Sequence, residues 1–221
     1  TTLLRGTIRM RVNTTNPRPD YVPIATASAT VFVGRANALM SADSSGAVTR
    51  LAMYRGRARV RVADREYLIG GGNRVIERLG SPTPSIVLPL LHAPAWTTPP
   101  PERTLSVGDP VDVSGTWQTA HEPPIPGYIG IPPAAVQFRV QFARDDHFRD
   151  MISDARVPAT STRWTARSLE PGVYFVRVAA IDGERFESSF SITVRFRVSA
   201  PRIVAGVGVP QNAAAEGVVL G

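Results

Sequence analysis

Apolar and polar residues alternate in short runs along this chain, and no long segment carries apolar residues at helical spacing. In Arg57-Ala58-Arg59-Val60-Arg61-Val62 every second side chain is apolar. Neighbouring side chains on a strand point to opposite faces, so this spacing predicts a half-buried strand with Ala58, Val60 and Val62 inside and the arginines in water. Residues 7–12 alternate in phase with it, and residues 136–142, 174–178 and 193–198 repeat the pattern further on. Turn signals at Asn16-Pro17, Pro19-Asp20 and Gly70-Gly71-Gly72 punctuate the runs. The glycine triplet is not read as a phosphate loop, because Arg74-Val75-Ile76 continues as strand where such a loop needs a helix N-terminus. The expected fold class is all-β.

The order of signals in the first third of the chain resembles a known family. Ile24-Ala25-Thr26-Ala27-Ser28-Ala29 is followed by Val31-Phe32-Val33, by Asp43-Ser44-Ser45-Gly46, by Tyr54-Arg55-Gly56-Arg57-Ala58-Arg59-Val60 and by Gly71-Gly72-Asn73. This succession is similar to the FecR-type domain of bacterial envelope proteins, with a departure at Gly34-Arg35-Ala36-Asn37, where relatives usually carry Arg-Gly-Thr. The resemblance implies a small β domain over about residues 3–80 and a place outside the cytoplasm, periplasmic or otherwise peripheral to a membrane.

Residues 81–102 carry seven prolines, among them Pro82, Pro89, Pro94 and Pro99. Proline fixes φ and has no N–H to donate, so a stiff extended connector outside any regular sheet is expected. Its apolar residues, Leu88, Leu90, Leu91 and Trp96 among them, are expected to pack on one or both flanking domains. From Arg103 onward the strands lengthen to sandwich spacing, about seven in number, with residues 104–107, 152–157 and 162–165 completing the set. The run Leu169-Glu170-Pro171-Gly172-Val173-Tyr174-Phe175-Val176-Arg177-Val178-Ala179-Ala180 resembles the fibronectin type III signature. It implies an immunoglobulin/fibronectin III-like sandwich over about residues 103–200, in which the Tyr174 hydroxyl ties a loop to a strand. The expected organisation is a FecR-like β domain (1–80), a Pro-rich linker (81–102), this sandwich, and an apolar tail (201–221).

Composition adds charge to this picture. All 25 basic residues are arginine and there is no cysteine, so disulfides and thiolate metal sites are excluded. Residues 1–80 hold 13 arginines against 5 acids, whereas residues 81–221 hold 12 against 13. The amino-terminal domain is therefore the cationic one, and Arg9, Arg11, Arg55, Arg57, Arg59 and Arg61 are expected to form a patch for acidic partners or an anionic lipid surface. Nucleic acid is disfavoured, because no aromatic ladder interleaves these arginines. No run reaches the apolar length that spans a bilayer, and the start at Thr1 suggests a processed protein or an excised fragment.

Reactive chemistry is not expected. None of His92, His121 and His147 has a second ligand at metal spacing, and Asp145-Asp146-His147 is read as a surface turn. No catalytic residue, cofactor or metal site is assigned. The stronger binding candidate is the proline-stiffened segment 119–135, which presents Ile125, Tyr128, Ile129 and Ile131; a rigid loop bearing Tyr loses little entropy on docking. The expected function is a non-catalytic extracytoplasmic scaffold that docks through this loop, the linker, the tail and the arginine face Arg55, Arg57, Arg59 and Arg61. A FecR-like signal relay and a cell-wall or carbohydrate-binding module are the alternatives.

Overall fold

A computed structural model describes residues 1–13, 21–81, 85–104, 111–119 and 133–200. Among them every regular element is a strand, in keeping with the alternating pattern. The predicted loop at Ile125, Tyr128, Ile129 and Ile131, the turn at 16–20 and the tail 201–221 lie outside the described residues.

The amino-terminal sheet is built on two long strands, β3 (Thr30–Ala42) and β4 (Val48–Val62), joined by the Asp43–Gly46 turn. Each bends midway. The first part of β3 pairs with β2 (Val22–Ala25) and the rest with β1 (Gly6–Val12). The second half of β4 pairs with β5 (Arg65–Gly70) and the first half with β6 (Asn73–Arg78). Residues of both halves, including Val33, Met40, Leu51, Val60 and Ile69, meet in one buried cluster.

Glycine makes the bend possible at Gly56. Its φ is +83°, and a Cβ there would lie 2.1 Å from the Arg35 carbonyl oxygen and 2.8 Å from the Ala36 Cα. Only a residue without a side chain allows β3 and β4 to cross so closely. Gly71 and Gly72 turn the chain at the same corner by donating to the Gly56 and Met53 carbonyls at 2.8 and 2.7 Å.

The carboxy-terminal part is an immunoglobulin/fibronectin III-like sandwich. One sheet runs β13 (Arg163–Leu169), β10 (Val111–Gln118), β8 (Ala95–Thr98). The other runs β12 (Met151–Pro158), β11 (Ala135–Ala143), β14 (Gly172–Asp182), β15 (Val194–Ser199), β9 (Arg103–Thr104), the last pair parallel. Trp117 fills the space between the sheets, edge-on to Phe138 at 5.4 Å and to Trp96 at 5.8 Å. Tyr174 is buried, and its hydroxyl donates to the Glu170 carbonyl at 2.8 Å.

The proline-rich segment corrects one expectation. It is not excluded from sheet: β7 (Leu88–Pro89) pairs with β6, and β8 pairs with β10. Both sit at the end of their sheets, where a strand needs donors on one side only, and β8 contains no proline between Pro94 and Pro99. Leu90 and Leu91 are buried on opposite sides of this crossing. Leu90 joins Ala52 and Phe186, whereas Leu91 enters the sandwich core.

Candidate functional site

The loop that follows β14 carries an extended polar network. Asp182 closes it from within, its Oδ1 accepting the N–H groups of Glu184 and Phe186, each at 2.9 Å. Ser188 and Ser191 fasten its far side, accepting the N–H groups of Ala180 at 2.9 Å and Val178 at 3.0 Å. So held, the loop projects four groups onto the outer face of the amino-terminal sheet.

Phe186 packs with Ala52 and Leu90 beneath the Arg74 guanidinium, whose carbon lies 4.7 Å from the ring centre. Arg74 Nη1 approaches Asp182 Oδ2 at 3.0 Å, with both side chains buried. The Glu184 carbonyl accepts from Arg50 Nε at 3.0 Å and the Glu187 carbonyl from the Tyr54 hydroxyl at 3.1 Å. The buried Glu187 carboxylate bridges Arg9 of β1 and Arg139 of β11, at 3.0 and 2.9 Å. Charges taken out of water are tolerated when paired in this way.

Electrostatic consequences follow from burial. The Tyr54 hydroxyl is pushed up to about 12, first by burial and then by the Glu187 charge. Asp182 is raised above the ordinary carboxylate value because burial outweighs the help of the Phe186 N–H and of Arg74. Its Oδ2 accepts no aligned hydrogen bond, so the contact with Arg74 is a close charge pair only. Asp154 moves the other way, held low by the hydrogen bonds from Arg139 despite some burial.

Beside this joint lies a cleft of about 850 Å³. Among the described residues five arginines line it, Arg9, Arg11, Arg35, Arg55 and Arg177, together with Tyr54, Phe190 and small polar residues, and none of the described carboxylates does. Arg177 is sandwiched between Phe148 at 3.8 Å and Phe190 at 4.1 Å and donates twice to Gln141 Oε1. Burial lowers its affinity for the proton, and the nearby Arg9 and Arg139 lower it further.

The six arginines expected in one patch are divided. The corner at Gly56 leaves Arg9, Arg11 and Arg55 on the cleft, while Arg57, Arg59 and Arg61 remain together on the outer face of the second half of β4. There Arg59 and Arg61 share Glu66 and lie over the Phe32 ring, and Arg57 is exposed without an ion pair among the described residues. Asp145-Asp146-His147 is a surface turn in which the Asp145 carboxylate accepts three backbone N–H groups. A smaller cavity, about 380 Å³, contains Glu77, which accepts from the Tyr67 and Ser85 hydroxyls. No cluster of three potential metal ligands occurs among the described residues, and none of their helices is long and apolar enough to cross a membrane, there being none.

Sequence reasoning did not single out the 182–191 loop. Its one signal was the grouping of Asp182, Glu184 and Glu187 in a chain otherwise rich in arginine.

No protein-family model matches the chain, and no curated protein matches it by sequence. Among solved structures, an anti-sigma factor candidate from Parabacteroides distasonis aligns over 47% of this chain and 58% of its own, at 12% identity and TM-score 0.33. A β-1,2-glucanase from the same organism aligns over 66% of this chain and 18% of its own, at 19% identity and TM-score 0.32. The FN1–FN3 domains of chicken CNTN1 align over 82% of this chain and 68% of theirs, at 10% identity and TM-score 0.35. The chain thus spans less than two thirds of the length of the first two. The all-β class rests on the strand pairings themselves.

Proposed function

We propose that this chain is a non-catalytic extracytoplasmic scaffold subunit, its first unit of FecR type, that docks onto a larger envelope or membrane-associated complex. The observation that carries this reading is the joint around the 182–191 loop. Two sheets linked only by a short connector move independently by default, unless a buried interface holds them. Here an apolar cluster, a buried ion pair and a bridging carboxylate fix them together. A fixed joint is useful to a protein whose task is to present separate surfaces at a set spacing.

The cationic face at Arg57, Arg59 and Arg61 is the surface offered to an acidic partner, and the segment bearing Ile125, Tyr128, Ile129 and Ile131 is the second contact. Native mass measurement of the assembly isolated with the full chain tests this. Arg57→Glu with Arg61→Glu, and separately Tyr128→Asp with Ile129→Asp, are expected to release the chain from its partners. Assembly unchanged by both pairs overturns the reading.

A further inference from the structure

The arginine-lined cleft beside the joint gathers positive charge, and none of the described carboxylates lines it. Arg11, Arg35 and Arg55 have no ion-pair partner among the described residues. Glu187, the carboxylate that pairs with Arg9, is already divided between Arg9 and Arg139. Gathering guanidinium groups around one cavity is unfavourable unless something of opposite sign enters. Two of the groups are nevertheless held in place. Arg177 is fixed by two aromatic rings and by Gln141, while Arg9 lies over the Tyr54 ring at 5.5 Å.

We propose that this cleft binds a small multivalent oxyanion, a ligand carrying two or more phosphate or carboxylate groups. A guanidinium presents a planar fork of donors that matches either group bidentately. A volume near 850 Å³ falls in the range of small-molecule sites, roughly 300–1,000 Å³. Tyr54 and Phe190 each carry an arginine on a ring face, so charge, not stacking against a neutral sugar, supplies the recognition. The site is separate from the Arg57, Arg59 and Arg61 face and does not depend on the scaffold reading.

Isothermal titration of the full chain with tripolyphosphate and with citrate, in about 0.15 M salt to screen diffuse attraction, tests the proposal. Saturable one-site binding of at least one probe is expected, and which probe binds tells the phosphate source from the carboxylate source. Arg35→Gln with Arg55→Gln should weaken it about tenfold or more, equivalent to about 1.4 kcal/mol. Arg57→Gln with Arg61→Gln removes the same charge away from the cleft and should leave it unchanged. Arg11→Gln alone provides a milder variant should the double substitution fail to fold. Failure of both probes to bind saturably, or equal weakening by the two double variants, overturns it.

Discussion

Arg74 Nη1 lies 3.0 Å from Asp182 Oδ2, joining β6 of the amino-terminal sheet to the end of β14 in the sandwich, with only 6% and 2% of the two side chains exposed. Removing one member of such a pair leaves the other charged and out of water. Arg74→Met is therefore expected to destabilise the protein by about 3–5 kcal/mol. Arg74→Met combined with Asp182→Leu should recover much of that loss, because no unpaired charge remains. Denaturant unfolding of the three variants checks this; a single substitution costing no more than the double one would refute it.

Gly56 is where β4 turns under β3. Gly56→Ala places a methyl group against the Arg35 carbonyl and forces an unfavourable positive φ. The expected cost is about 2 kcal/mol or more from backbone strain and displacement together. Thermal unfolding measures it. Gly72→Ala serves as comparison: it shares the positive φ but meets open space, and should cost less.

Tyr174→Phe removes the hydroxyl that donates to the Glu170 carbonyl at 2.8 Å while keeping the ring against Phe142 and Phe196. A loss of about 1 kcal/mol is expected, the usual net value of one hydrogen bond. Urea unfolding reads it directly. A loss as large as that of Tyr174→Ala would mean that the ring, not the hydroxyl, was disturbed.

Acid acts on two carboxylates in opposite senses. Asp154 has a folded value below its ordinary 3.8, so the stability it supplies is complete above that value and is lost as pH falls through the lowered one. Asp182 has a folded value above 3.8. The cost of ionising it is absent below 3.8 and grows as pH rises through the raised value. Asp154→Asn should thus lessen the fall in stability between pH ~7 and ~3, and Asp182→Asn should steepen it. Unfolding free energies at the two pH values provide the measurement, and unchanged slopes would contradict the assignment.

Sequence periodicity determined what one strand could specify for itself. Arg57 to Val62 and residues 174–178 fall on the faces their alternation requires, because side-chain direction depends only on the local backbone. The tyrosine hydroxyl at 174 likewise reaches a partner just four residues away. Tertiary structure alone decided the rest. Arg55 and Arg57 are two residues apart and look like members of one row, yet the corner at Gly56 sends them to different surfaces. Leu88-Pro89 has too little length to declare itself a strand and became one against an existing edge. The joint depends on Arg9, Arg74 and Glu187, whose separation along the chain reaches 178 residues. Burial and charge pairing over that distance are set by how sheets pack, and no local pattern encodes them.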